Sequence, residues 1–349
     1  MEIMSPGGEG AFTPGKPLFH GALGVFPLHL AASSGVGYLT YDEALEKGTV
    51  AVSEVSEGGS VPELRFLNRG SDRVLLIDGE QLVGAKQNRI LNTTVLIEAK
   101  SSVVIPVSCV EAGRWHYSDE ENMRASRSNL YATTRAKKSR QVSNNLRGER
   151  SYRANQNAIW NDISGKLAAH CVFSPTSAME DHFASVSGEL DGYRENLRLE
   201  RFESRAGTTI VGAVFTLEGT VLGMDAFDSA ATLEKQWGKL LNSYAMEAVR
   251  VKGDGPVDVG LVGEFLGKTA GAHMEVFQPP GLGDDVRMTD EKVVGSCLVF
   301  EGSIVHGYAF NLEEEKGEEA RPGRRHSSSM TSFRERKRQQ RPRGGMFIM

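Results

Sequence analysis

The sequence predicts an α+β protein, with antiparallel, hairpin-rich sheet layers carrying packed amphipathic helices. Many short β-forming segments end at Gly-containing turns, helical apolar spacing appears later in the chain, and one hairpin-like segment occurs twice. Strand runs followed by helices favour segregated layers over alternating βαβ units. The 349 residues are enough for one large domain with a sizeable core.

Residues 16–118 are predicted to be β-rich. Apolar runs predict strands at 18–30, 50–55, 63–68, 74–77, 90–97 and 102–107. The Asp78-Gly79 dipeptide between two such runs is a hairpin signal. A short helix interrupts the strands, because Thr40 and Glu43 have the spacing of a capping box and Gly48 can end the helix.

Residues 119–201 are predicted to form a helical, basic insert. Nine cationic residues between positions 123 and 153 are opposed only by Glu149: Arg124, Arg127, Arg135, Lys137, Lys138, Arg140, Arg147, Arg150 and Arg153. Such a run indicates either a solvated helix with a mobile loop or a lid that brings cations to an anionic ligand. Beyond it, Ser177 and Glu180 predict a second capping box. The apolar helix face that follows contains Met179, Phe183, Val186, Leu190, Tyr193 and Leu197.

Residues 202–312 contain an internal repeat. Positions 211–227 read VGAVFTLEGTVLGMDAF and positions 294–310 read VGSCLVFEGSIVHGYAF, with Val-Gly, Glu-Gly and Ala-Phe identical at matching places. The pattern predicts two hairpins that turn at Glu-Gly, with residues 77–80 as a looser third version. An amphipathic helix lies between the copies, and its apolar face is Leu233, Trp237, Leu240, Leu241, Tyr244 and Ala248.

Composition sets the remaining expectations. Residues 1–15 and 313–349 are predicted to be disordered, which leaves 16–312 as a single domain. The net charge is −5, but residues 321–343 hold nine Lys or Arg against one Glu, so nucleic acid is expected only through this tail. Three scattered cysteines predict reduced thiols. Because no secretory leader and no membrane-length apolar run is present, we expect a cytoplasmic protein without a membrane segment.

Polar side chains are concentrated between positions 74 and 117, which we interpret as the functional centre. The candidate ligand-binding residues are Lys86, Gln87, Asn88, Arg89, Arg114 and Trp115, and the candidate acid–base residues are Glu80 and Glu111. Arg and Lys suit phosphate, Trp can stack on a base, and two carboxylates can act as acid and base. The alternative for Glu111 is a structural ion pair with Arg114 or Arg89.

No sequence motif predicts a metal site. The eight histidines are scattered, and neither HxH nor HExxH spacing occurs. A site built from Glu80, Glu111 and His116 is the weaker alternative. Cys109 lies in an apolar strand context, where an inert core thiol is expected rather than a nucleophile.

These motifs resemble the ARPP family, the ARG and Rhodanese-Phosphatase-superfamily-associated protein domains, over about residues 17–312. The resemblance is carried by Gly79-Glu80, Gly84, Gln87-Asn88-Arg89, residues 107–111, Gly113-Arg114-Trp115, Gln156, Trp160, Gly223, Asp225, Phe227 and His306. It implies a place in NAD or ADP-ribose metabolism. We therefore expect binding, with hydrolysis or transfer, of a phosphorylated nucleotide-like ligand such as ADP-ribose or NAD. The alternative is a non-catalytic binding or scaffold protein that acts with a partner enzyme.

Overall fold

The computed structural model describes residues 12–31, 35–56, 58–117, 123–253 and 258–312. The strands of the first half are β1 (Thr13–Pro14), β2 (Leu18–His20), β3 (Leu23–Leu30), β4 (Leu39–Thr40), β5 (Val50–Glu54), β6 (Glu63–Asn68), β7 (Val74–Leu76), β8 (Glu80–Val83), β9 (Arg89–Leu91), β10 (Val95–Ile97), β11 (Ser101–Cys109) and β12 (Arg124–Asn129). Those of the second half are β13 (Thr209–Leu217), β14 (Thr220–Phe227), β15 (His273–Phe277), β16 (Asp284–Thr289), β17 (Val293–Phe300) and β18 (Ser303–Asn311).

The described chain also contains helices α1 (Tyr41–Glu46), α2 (Ala132–Glu149), α3 (Gln156–Ala169), α4 (Met179–Ser185), α5 (Ser187–Asn196), α6 (Ala230–Ala248) and α7 (Val259–Gly271). The predicted α+β class is confirmed. Among the described strands, pairing is antiparallel except between β4 and β7, which are parallel. In the described chain, no helix combines the length and the apolar character that crossing a membrane requires.

The described residues form three sheets. The largest has nine strands, in the order β1-β3-β13-β14-β18-β17-β16-β15 with β2 paired to β3. A six-stranded sheet runs β12-β8-β9-β11-β6-β5, and a three-stranded sheet runs β10-β7-β4. Alternate residues of the large sheet face two different cores: Phe215 packs in the core that includes α6, and Val214 packs in the core that includes α7.

The sequence repeat forms two equivalent hairpins at the centre of the large sheet. β13 pairs with β14 and β17 with β18, and β14 and β18 are themselves neighbours. Both turns place Glu and then Gly at positive φ: 45° and 84° at Glu218-Gly219, and 51° and 81° at Glu301-Gly302. Two consecutive positive φ values define the turn type that matches strand twist. The two hairpins predicted at Glu-Gly are therefore confirmed.

The first Gly of each repeat allows close strand approach, which makes it a sensitive position. A Cβ at Gly295 would lie 2.4 Å from the Tyr308 carbonyl oxygen, and a Cβ at Gly212 would lie 2.4 Å from that of Asp225. We expect Gly295→Ala to lower the free energy of unfolding by about 1–3 kcal/mol, since the partner backbone must move. Urea denaturation measures it. The control is Gly238→Ala in the middle of α6, where no atom lies within 4 Å of the new methyl. That control should raise stability by up to about 1 kcal/mol.

Three local predictions for the β-rich part are wrong. Asp78-Gly79 does not close a hairpin, because β7 and β8 belong to different sheets. Glu80 N–H donates to the Ile77 carbonyl (3.1 Å) with Gly79 at φ 78°, so the turn redirects the chain from one sheet to another. Residues 77–80 are therefore not a third copy of the repeat. The run at 90–97 likewise splits into β9 and β10, which lie in separate sheets.

The helix predictions had mixed outcomes. The Thr40/Glu43 capping box is present at α1. The second box is absent: the N-cap of α4 is Ala178 without a side-chain cap, Ser177 has φ 53°, and Glu180 instead accepts from the Ser126 hydroxyl. The apolar face that follows is buried as expected but is divided between α4 and α5. The predicted apolar face of α6 is also buried.

Candidate functional site

The three sheets meet at a closed ring of buried polar groups. Arg135 of α2 donates to both Asp225 oxygens (3.0 and 2.7 Å) and to Asp78 (3.3 Å). His306 Nε2 lies 3.2 Å from Asp225, and its Nδ1 lies 2.8 Å from the Thr94 hydroxyl, which accepts from the Asp78 backbone N–H. The carboxylate can only accept, so Nε2 carries a proton. Five residues distant in sequence thus form one hydrogen-bonded circuit.

The charges of this ring balance internally. Lys138 donates to Asp78 and to the Leu91 carbonyl, which places two cations against two carboxylates with all four side chains fully buried. The pKa of Asp225 falls to about 2: burial favours its neutral form, but Arg135 and His306 outweigh that effect. The pKa of Lys138 falls to about 8 because burial disfavours the ammonium. The ring therefore links α2 to β14 and to the turn between β7 and β8.

This ring corrects the interpretation of the basic segment at 123–153. Both interpretations placed its cations in solvent or at a ligand, whereas Arg135 and Lys138 are inside the core. Helical spacing was the sequence signal for this burial. Arg135, Lys138, Val142 and Leu146 recur at intervals of three or four residues, so they lie on one face of α2, and that face is buried. The sequence resemblance had already drawn attention to Asp225 and His306.

Arg114 fastens the loop of residues 84–88 to the end of β11. Its Nε and Nη2 donate to Glu111 Oε2 (2.9 and 2.7 Å), Nη1 donates to the Ala85 carbonyl (2.7 Å), and Nη2 also reaches Asn88 Oδ1 (3.1 Å). Glu111 further accepts from the Thr176 hydroxyl and the Asn88 backbone. Burial raises the pKa of Glu111, but these donors outweigh it and hold the pKa below its usual range. The Glu111–Arg114 ion pair, weighed as an alternative, is present.

Arg89, unlike Arg114, has buried donor atoms without a hydrogen-bond partner among the described residues. It is fully buried, donates from Nη1 to Gln87 Oε1 (3.3 Å), and has its Nη2 3.6 Å from Glu54 Oε1. Its Nε and Nη2, and Glu54 Oε2, have no hydrogen-bond partner within the described residues. Burial lowers the pKa of Arg89. Buried guanidinium donors are normally satisfied, so this arrangement leaves hydrogen-bonding capacity for a ligand or water.

One aromatic ring, that of Trp115, lies over this guanidinium. The Trp115 ring centroid lies 5.6 Å from Arg89 Cζ and 5.6 Å from Lys86 Nζ, and the Tyr117 ring lies 5.3 Å from the same Nζ. Trp115 and Tyr117 are 45% and 48% exposed, so each presents ring surface to solvent. We call the group of side chains Arg89, Glu54, Gln87, Cys109 and Trp115 the Arg89 cluster. It combines buried guanidinium donors with an exposed aromatic surface.

Cys109 and Gln87 complete the Arg89 cluster. The thiol donates to Gln87 Oε1 (2.8 Å), and Gln87 Nε2 donates to the Glu111 carbonyl (2.8 Å). The Gln156 side-chain amide accepts from the Cys109 backbone N–H and donates to the Cys109 carbonyl. Burial raises the pKa of the thiol to about 11, which keeps it protonated at neutral pH.

Glu80 lies apart from these residues. It begins β8, accepts from the Ile77 backbone, and pairs with Lys239 of α6 (2.6 Å), which also contacts Asp42. Glu80 and Glu111 share no hydrogen-bond partner among the described residues. Burial raises the pKa of Glu80, although Lys239 opposes this. No cluster of three His, Cys, Asp or Glu in the described chain has a geometry that could hold a metal ion.

The fold and this site define an α+β protein with a buried arginine beneath an exposed tryptophan. The chain belongs to the family described as the ARG and Rhodanese-Phosphatase-superfamily-associated Protein domain, whose profile matches residues 11–310. Neither the curated proteins nor the solved structures contain a significant match.

Proposed function

We propose that this protein binds a phosphorylated, nucleotide-like ligand of the ADP-ribose or NAD class in the cytoplasm, and that the Arg89 cluster is the site. The observation that carries the proposal is the buried Arg89 guanidinium, whose Nε and Nη2 have no hydrogen-bond partner in the described residues although Nη2 lies 3.6 Å from Glu54. Adjacent donors of one guanidinium suit the oxygens of a phosphate. Trp115 supplies an exposed ring on which a base can stack.

The predicted ligand-binding residues take different roles in this proposal. Arg89 binds the phosphate, and the Trp115 indole stacks on the base. Lys86 adds positive charge beside the indole. Arg114 has hydrogen bonds from Nε, Nη1 and Nη2, so it positions the loop rather than the ligand. Gln87 and Asn88 position the neighbouring loop through their hydrogen bonds with Glu111.

Catalysis by Glu80 and Glu111 stays a prediction. Each carboxylate has its own cation, Lys239 for Glu80 and Arg114 for Glu111, so the arrangement favours binding over acid–base chemistry. The second candidate function, a binding protein acting with a partner enzyme, is favoured by the exposed Trp115 and Tyr117 side chains and by the association recorded in the family name.

A thermal-shift panel tests the proposal. ADP-ribose, NAD, nicotinamide mononucleotide, ATP and inorganic phosphate are compared on wild type and on Trp115→Ala. A ligand at a hundred times its dissociation constant adds about 2.7 kcal/mol, a readily visible shift in the midpoint. We expect a nucleotide to stabilise wild type and to lose most of that effect in Trp115→Ala. Stabilisation by no member of the panel would contradict the proposal.

A further inference from the structure

The edge strand β12 has an irregular register with its neighbour β8. Ala125 stands opposite Leu82, and the next aligned pair is Asn129 opposite Glu80, so β12 advances from 125 to 129 while β8 advances only from 82 to 80. In a regular strand, successive side chains point to opposite faces. Here the four consecutive residues 125–128 all line one groove. Such irregularities re-aim side chains and are frequent beside functional sites.

The groove has a volume of about 620 Å³ and lies between β12, α4, α5 and α6. This volume is within the range of small-molecule sites. Ala125, Phe183 and Ala184 supply apolar lining. Gly238 of α6 also lines the groove, and no atom lies within 4 Å of the position that a Cβ would take there, so this part of the helix faces open space.

Cationic side chains outnumber carboxylates in the lining, which contains Arg127, Arg194, Lys235 and Lys239 against Asp42 and Glu180. The two lysines are already engaged. Lys235 contacts Glu43, and Lys239 contacts both Asp42 and the buried Glu80. Glu180 accepts from the Ser126 hydroxyl. Any donors left for a ligand therefore belong mainly to the two arginines.

The Asn242 side chain fixes both arginine residues at the groove. It accepts from Arg194 Nε (3.0 Å) and donates to the Arg127 carbonyl (2.8 Å). Arg194 Nη1 donates to Asp191 (2.5 Å), which leaves Nη2 without a hydrogen-bond partner among the described residues. The exposed Arg127 guanidinium has neither a hydrogen bond nor an ion pair within the described part of the chain. The groove thus offers guanidinium donors beside apolar surface.

We propose that this groove binds a small organic anion, with its carboxylate or phosphate group held by Arg127 and Arg194 and its hydrocarbon part against Phe183. Guanidinium donors match the paired oxygens of both oxyanions. None of the residues of the Arg89 cluster lines the groove, so the inference does not depend on the proposed nucleotide site.

The test compares two identical substitutions on β12 in the full chain. Arg127→Gln removes the groove cation, and Arg124→Gln removes an exposed cation of the same strand that does not line the groove. Both variants change the net charge by the same amount, so general electrostatic effects are matched. Both side chains are exposed, so both variants should fold.

The probes separate charge from hydrocarbon. Benzoate, hexanoate and phenyl phosphate carry both, benzamide is the uncharged match of benzoate, and acetate and inorganic phosphate lack the hydrocarbon part. Saturation-transfer NMR detects binding, and NMR titration gives the dissociation constants. Comparison of benzoate with phenyl phosphate shows which oxyanion the groove prefers.

We expect at least one of the three organic anions to bind wild type and Arg124→Gln alike, and to bind Arg127→Gln about tenfold or more weakly, because a charge-assisted hydrogen bond is lost. Benzamide should not bind. The proposal is overturned if no organic anion binds, if Arg127→Gln binds as wild type does, if Arg124→Gln loses as much affinity, or if only acetate or inorganic phosphate responds.

The same variants separate this proposal from the nucleotide site. Nucleotide binding that is weakened in Trp115→Ala but unchanged in Arg127→Gln leaves the two sites independent, and the organic anions then decide the groove alone. Nucleotide binding that is weakened in Arg127→Gln and unchanged in Trp115→Ala would support the groove as an anion site and contradict the proposed function of the Arg89 cluster.

Discussion

Asp225→Asn is expected to lower the free energy of unfolding by about 3–5 kcal/mol, a large part of the stability of an ordinary domain. The substitution removes the carboxylate to which Arg135, Tyr244 and His306 are hydrogen-bonded at full burial. Arg135 then keeps only Asp78, which Lys138 also uses, and the core holds an uncompensated positive charge. Urea denaturation followed by circular dichroism measures the loss.

The control for this substitution is Asp191→Asn. Asp191 pairs with Arg194 on the surface and is 71% exposed, so its loss should change stability by less than about 0.5 kcal/mol. The double variant Arg135→Met/Asp225→Asn removes one charge of each sign and leaves Asp78 paired with Lys138. It should be more stable than Asp225→Asn alone. A double variant that is less stable than the single one would contradict the charge-balance explanation.

Arg89→Met is expected to weaken binding of the nucleotide that stabilises wild type by about 100-fold, equivalent to about 2.7 kcal/mol. The methionine fills the space of the buried side chain but offers no donor to phosphate. Because the change also leaves Glu54 buried without its cation, it is made together with Glu54→Gln. Isothermal titration calorimetry measures the dissociation constants.

Glu54→Gln alone is the matched control for the double variant. The Glu54 carboxylate lies 3.6 Å from Arg89 Nη2 and competes with an incoming anion for the same guanidinium. Its neutralisation should leave phosphate-ligand affinity unchanged or increase it. Weaker binding in Glu54→Gln, or unchanged binding in the Arg89→Met/Glu54→Gln variant, would exclude Arg89 as the phosphate-binding group.

The features that could be predicted from sequence are those that depend on residues close together in the chain. The Thr40/Glu43 capping box, the two Glu-Gly hairpins and the apolar face of α6 depend on short spacings, and all three are present. The Asp78-Gly79 turn shows the limit of such signals. The dipeptide does specify a turn, but which strand β8 joins depends on partners far along the chain.

The buried charges of the core were not predictable either, because their partners also lie far along the chain. A cation on a helix is usually solvated, and only Asp78 and Asp225, 57 and 90 positions away, make burial of Arg135 favourable. The concentration of polar residues at 74–117 marked the stretch that contains Arg89, Glu111, Arg114 and Trp115. It did not reveal that Arg114 is fully engaged while Arg89 retains unfilled donors.

The most direct test of the central claim is a fluorescence titration with ADP-ribose that isolates Trp115. The chain has three tryptophans, and subtraction of the Trp115→Phe signal from that of wild type leaves the emission of the residue that covers Arg89. A base stacked on the indole should quench this emission. The account predicts saturable quenching whose midpoint moves to about 100-fold higher ligand concentration in the Arg89→Met/Glu54→Gln variant. Binding detected by calorimetry without any change in Trp115 emission would place the ligand elsewhere and contradict it.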